Sequence, residues 1–168
     1  MSDKIYNVLI LCTGNSARSI IAEAVFNTIG KDRFKAYSAG SHPTGTVHPL
    51  AIELSQKLAY PIDALRSKSW DEFAAPGAPE MDFIITVCDK AASEPCPLWP
   101  GRPITSAWGL EDPAAVEGSV EQQRHAFQNV LNYIMARVRL FSVLPLSKLD
   151  ELTIKRKMDS IGQIKDTY

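Results

Sequence analysis

The chain has 168 residues, 45% of them hydrophobic and 22% charged, enough for one soluble domain with its own core. Eighteen basic residues against nineteen acidic ones leave a net charge of -1, and no basic stripe interleaved with aromatics marks a nucleic-acid surface. No apolar run reaches the ~18 residues of a membrane helix, no apolar leader follows Met1-Ser2-Asp3-Lys4, and three cysteines, an odd number, argue against a disulfide framework; a cytoplasmic chain is expected.

Residues 5–12 read as a buried strand. Residues 19–29 read as a helix with Ile20, Ile21, Ala24, Val25 and Ile29 as its apolar stripe, stopped by Gly30. Glu23 on that helix reads as a solvated or capping charge. A second strand covers residues 34–39. A Gly/Pro loop follows, then a helix over residues 48–58 with Pro49 in its first turn. Residues 62–65 read as a short edge segment and residues 69–73 as one helical turn. Residues 82–87, rich in Ile and Val, read as a third buried strand. Residues 88–118 are dense in Pro and Gly and read as one long functional loop. A long amphipathic helix covers residues 120–140. Strands alternating with helices predict a parallel α/β sheet without repeats. Residues 1–144 read as the domain. Residues 145–168 read as a C-terminal extension with a helix near 149–161, free to dock on a neighbouring subunit or to fray.

The most informative run is Cys12-Thr13-Gly14-Asn15-Ser16-Ala17-Arg18-Ser19. A strand empties into a cysteine, and a helix begins at the arginine. Loop and first-turn N–H groups lack intrahelical acceptors and can point at an anion. Gly14 is expected to supply the unusual backbone angles that converge them. Arg18 offers a planar fork for two oxygens of a tetrahedral anion. The same field is expected to lower the Cys12 thiol below its free value of about 8.5. Asn15 is expected to hold the loop by side-chain-to-backbone bonds, and Ser19 to offer a hydroxyl to Cys12. The bland alternative is a small buried cysteine at a strand end. Cys88, at the end of the strand over 82–87, falls on the same edge of the sheet, where such sheets bind ligands. Cys96 and the Asp112-Pro113 pair follow in the next loop. The spacing of the cysteines lacks any C-x2-C knuckle and the three histidines are dispersed, so no metal is expected.

The run Cys12 to Ser19 resembles the signature loop of the low molecular weight tyrosine phosphatase family, which includes arsenate reductases on the same fold. Tyr37-Ser38-Ala39-Gly40-Ser41, Thr86-Val87-Cys88-Asp89 and Trp108-Gly109-Leu110-Glu111-Asp112-Pro113-Ala114 are similar to the reductase branch. The resemblance covers most of residues 5–140. It implies a three-layer α/β sandwich on a central parallel sheet of about four strands. It implies oxyanion binding by Thr13, Gly14, Asn15, Ser16, Ala17, Arg18 and Ser19, with Cys12 as nucleophile and Asp112 as the acid for the leaving oxygen. Arsenate would be the substrate, phosphate or sulfate its analogues. Cys88 would resolve the Cys12 arseno-thiolate, and Cys96 would attack Cys88, as in thioredoxin-coupled reductases. No bound cofactor is implied, only electrons from an external thiol system, thioredoxin or glutathione with glutaredoxin. The chain departs from the pattern in three places. Ala17 stands where thioredoxin-coupled members often carry a further cysteine, Ile20 where phosphatases place proline, and Ala114 and Ala115 where phosphatases carry a tyrosine-rich rim. Two alternatives stay open, a protein phosphatase using Cys12 and Asp112, and an oxyanion-binding protein without turnover.

Overall fold

In a computed structural model, which describes residues 4–88, 99 and 101–164, the chain folds around four parallel strands. They are β1 (Tyr6–Cys12), β2 (Phe34–Gly40), β3 (Phe83–Thr86) and β4 (Ile104–Ala107), in the order β2-β1-β3-β4. Strand β1 is the centre of the sheet. It pairs with β2 from Tyr6–Phe34 to Cys12–Gly40 and with β3 from Val8–Phe83 to Leu11–Thr86.

The period-two alternation of β1 divides the core. Val8, Ile10 and Cys12 pack with the larger cluster, under α1 (Arg18–Thr28) and α4 (Val120–Ser142). Leu9 and Leu11 pack on the other face with Trp70, Phe73 and Met81 around α3 (Asp71–Ala74). Both faces are covered, which is why β1 reads as an unbroken apolar run. The result is the expected three-layer arrangement.

Helix α2 (Pro49–Lys57) begins at His48, whose Nδ1 accepts from Leu50 N at 3.1 Å and whose ring lies 4.7 Å from that of Phe127. Burial holds the His48 imidazole below its ordinary value, against a small opposing pull from Asp112. The fold therefore favours the neutral form. Its contribution to stability is present above the ordinary histidine value and is lost as pH falls through the lowered one. Thermal melts between pH 8 and pH 5 are expected to show this loss, and His48→Asn, which keeps a capping side chain but cannot titrate, is expected to flatten it. Identical profiles for the two proteins would refute the assignment.

Three expectations are corrected. Residues 62–65 are not an edge strand; Ile62–Ala64 form one turn of 3-10 helix. The stretch over 88–118 is not a single loop, because β4 lies within it. Ile104-Thr105-Ser106-Ala107 is short and half polar, and it pairs with β3 alone. A four-residue edge strand carries little periodicity to read. Glu23 is not solvated; it is 4% exposed. Its carboxylate accepts from Ser38 Oγ at 2.7 Å and Tyr60 Oη at 2.7 Å, with Lys68 Nζ at 3.9 Å. A buried carboxylate is tolerated when hydrogen-bonded and paired in this way.

The C-terminal segment joins the same core. Helix α5 (Glu151–Gly162), capped by Asp150, buries Ile154, Met158 and Ile161, each worth about 1.5–3 kcal/mol of burial. Trp108 Nε1 donates to Met158 O at 3.0 Å and Ser106 Oγ to Asp159 Oδ1 at 2.7 Å. A Cβ at Gly162 would lie 2.6 Å from both Ala107 O and Trp108 Cδ1, so glycine is what lets α5 approach β4 this closely. Over residues 145–164 the segment packs on its own chain.

Candidate active site

At the carboxyl edge of the sheet, β1 ends at Cys12 and β3 ends two residues before Cys88. Because β1 and β3 are neighbours in register, the two cysteines arrive side by side. A cavity of about 480 Å³ opens there, lined by residues 12 to 18 together with Thr44, Cys88, Leu110, Asp112 and Ala114.

The loop from Thr13 to Ala17 is tied down from outside. Thr13 O, Gly14 O and Ser16 O accept from the backbone N–H groups of His42, Thr44 and His48 at 2.9, 3.0 and 2.9 Å. With the carbonyls so held, no backbone N–H from Gly14 to Ser19 donates to a backbone carbonyl among the described residues. Helix α1 has no side-chain cap either. A row of amide donors is therefore left for an anion, and the positive end of α1 adds to their field. The left-handed residue is Asn15, with φ of 47°, and not Gly14, which corrects the expectation for that glycine. Asparagine tolerates this conformation because its short side chain bonds locally. Asn15 is fully buried, accepts from Lys68 N at 2.9 Å and donates to Ser19 Oγ at 2.8 Å. The glycine that the close approach does require is Gly40, where a Cβ would stand 2.4 Å from Thr13 O.

Six of the seven predicted loop residues line the cavity; Ser19, fully buried, stands behind Asn15. Arg18 leans over the cavity from the start of α1. Its Nη1 donates to Leu110 O at 2.9 Å, and Nη2 lies 3.8 Å from Asp112 Oδ2. Asp112 is extended before Pro113, half exposed, and its Oδ1 accepts from Ala114 N at 2.9 Å. It thus caps a turn and faces the arginine at once.

The thiol behaves differently from expectation. Cys12 is hydrogen-bonded with Cys88, and this contact, reinforced by burial, pushes the Cys12 thiol up, against the pull of Arg18 and of the Thr13 amide. The predicted depression of Cys12 is corrected for this resting geometry. With two sulfurs side by side, ionising one makes ionising the other costly. Thr13 N donates to Cys88 Sγ at 3.3 Å, with the Thr13 hydroxyl 3.5 Å away. The Cys88 sulfur therefore has a backbone donor within reach. Cys96 lies outside the described residues.

Thr44 and Lys68 were not singled out by the sequence. Thr44 reaches the site from a distant loop and Lys68 serves it through a backbone amide, so neither carries a local motif, whereas Leu110 sits in the quoted run from Trp108 to Ala114. Among the described residues no group of three or more His, Cys, Asp or Glu side chains is placed to hold a metal ion, and no helix is long and apolar enough to cross a membrane.

Comparison with known proteins follows the same line. A profile described as low molecular weight phosphotyrosine protein phosphatase matches residues 7–155. An arsenate reductase of Shouchella clausii is 35% identical over 142 residues, which cover 84% of this chain and 97% of that one. Among solved structures, an arsenate reductase in a phosphate-binding state superposes with a TM-score of 0.61 at 27% identity, covering 80% of this chain and 98% of that one. A thioredoxin-dependent arsenate reductase of Corynebacterium glutamicum superposes with a TM-score of 0.59 at 25% identity, covering 88% of this chain and 66% of that one.

Proposed function

The chain belongs to the low molecular weight phosphotyrosine protein phosphatase family, and from that premise we propose that it is an arsenate reductase working through Cys12 and Cys88. The observation that carries this reading is a second sulfur at the oxyanion loop: Cys88 lines the same cavity as Cys12, with its Sγ 3.3 Å from Thr13 N. A phosphatase has no use for that sulfur, because water resolves its covalent intermediate. The small side chains of Ala114 and Ala115 also suit an inorganic anion better than an aryl phosphate.

Arsenate is held by the loop amides from Gly14 to Arg18 and by the Arg18 fork, released from Leu110 O for the purpose. The Cys12 sulfur attacks arsenic. An As–S bond forms, and one As–O bond breaks. The hydroxyl of hydrogen arsenate leaves as water, carrying the proton that the Cys12 thiol gives up, with Asp112 as the relaying acid. Cys88 then attacks the Cys12 sulfur as the thiolate, its proton passing to an oxygen of the departing arsenite. An S–S bond forms, the S–As bond breaks, and its electron pair stays on arsenic. As(V) leaves as arsenite, As(III), and two thiols have become one disulfide. Cys96 is the third thiol in this proposal. By attacking Cys88 it would pass the disulfide to an external dithiol. The thioredoxin dependence of the Corynebacterium neighbour favours thioredoxin over glutathione with glutaredoxin as that partner. Such a relay suits a reducing, cytoplasmic setting.

The test is arsenate-dependent oxidation of NADPH with the thioredoxin and the glutaredoxin systems supplied in turn. Turnover with thioredoxin is expected; no turnover with either system refutes the reading.

Arg18→Lys is expected to weaken phosphate or arsenate binding by about 1–3 kcal/mol, roughly five- to 150-fold, since a point charge cannot span two oxygens in one plane. Calorimetric titration with phosphate measures it. Unchanged affinity would contradict the bidentate clamp.

A further inference from the structure

Arg137 on α4 plays no part in the chemistry above, yet it is a guanidinium only 2% exposed. Its Nη1 donates to Trp108 O at 2.9 Å and to Gly109 O at 3.4 Å, and Nη2 donates to Ile164 O at 2.9 Å. Its Nε is buried, without a hydrogen-bond partner among the described residues. No carboxylate among the described residues forms an ion pair with it. An arginine does not shed its proton inside a protein, so the charge stays, and a buried charge is stable only when something answers it.

A cavity of about 220 Å³ adjoins this side chain, between α4 and the segment over 109–116. It is separate from the oxyanion cavity, sharing with it only Leu110 and Asp112. Leu110, Pro113, Val116 and Val130 give it apolar walls, while Asn129, Tyr133 and Arg137 contribute polar groups. Two carboxylates also border it. Asp112 is engaged with Arg18 and Ala114 N, and Glu111 is exposed to solvent.

We propose that this cavity binds a small monocarboxylate with an apolar body, the carboxylate on the Arg137 guanidinium and the body against Leu110, Pro113, Val116 and Val130. Four properties select that class. A carboxylate matches the planar, charged fork of arginine. The charge of the ligand answers a cation that has no ion pair among the described residues. The apolar walls reward a hydrocarbon body, which an inorganic oxyanion lacks. The volume falls below the ~300–1,000 Å³ of sites for larger ligands, which fits a single ring or a short chain.

Benzoate is the probe, titrated calorimetrically into the full chain with phosphate saturating the oxyanion loop. Binding is expected to persist under phosphate and to be at least tenfold tighter than that of benzamide, its neutral counterpart. Arg137→Gln is expected to abolish the preference for benzoate. Because that change removes three carbonyl contacts, Ala126→Phe serves as the second variant. It fills the cavity, leaves the guanidinium in place, and is expected to lose benzoate while keeping phosphate affinity. Loss of benzoate binding under saturating phosphate would assign it to the oxyanion loop and overturn the proposal. So would equal affinity for benzamide, unchanged benzoate binding in Ala126→Phe, or no binding of benzoate at all.

Discussion

Cys12→Ser is expected to abolish arsenate-dependent turnover, by on the order of 10⁴-fold or more, as when the nucleophile of a covalent mechanism is removed. The serine hydroxyl ionises far above a thiol and cannot form the arseno-thiolate. It cannot form a disulfide either, so both bond-making steps fail at once. The anion-binding part of the site is built from backbone N–H groups and Arg18, none of which the substitution removes. Phosphate binding is therefore expected to survive in the variant. That pairing of results separates loss of the nucleophile from loss of the loop. Substantial arsenate reduction by Cys12→Ser would remove Cys12 from the mechanism.

The second large effect concerns Cys88. Cys88→Ser is expected to stop arsenate reduction while leaving any slow hydrolysis of an aryl phosphate, which calls only on Cys12, Arg18 and Asp112. Serine cannot take the Cys12 sulfur, so the arseno-thiolate has no internal exit. The titration of Cys12 changes as well. Contact with Cys88 is the leading cause that pushes the Cys12 thiol up, while Arg18 pulls it down. Cys88→Ala removes the first and keeps the second, so Cys12 is expected to be alkylated by iodoacetamide at lower pH than in the parent chain. In Cys96→Ser the relay is expected to stall one step later, and mass spectrometry after one exposure to arsenate should find Cys12 and Cys88 joined, two hydrogens lighter. Reduction at the parent rate by both Cys88→Ser and Cys96→Ser, with glutathione present, would make an external thiol the resolving group.

The sequence by itself determined whatever depends on neighbours along the chain. The apolar run of β1, the helix after Arg18 and the anion loop between them are local, because strand period, helix start and loop donors are set by residues a few positions apart. The cap at His48 beside Pro49 and the turn at Asp112-Pro113 are local too, and both are present. Tertiary structure decided the rest. The left-handed turn went to Asn15, whose amide is fixed by Lys68 from 53 residues away. Glu23 became a buried acceptor because Ser38, Tyr60 and Lys68 converge on it from three other segments. Strand β4 exists because β3 offers it an edge, not because its four residues demand extension. The direction of the Cys12 shift was decided in the same way. Loop and helix alone pull the thiol down, and only the pairing of β1 with β3 brings in the sulfur of Cys88, 76 positions along, which pushes it up. Charge and proton sharing act through space at a few ångströms, so a property that depends on which strands are neighbours is settled only when the sheet is assembled.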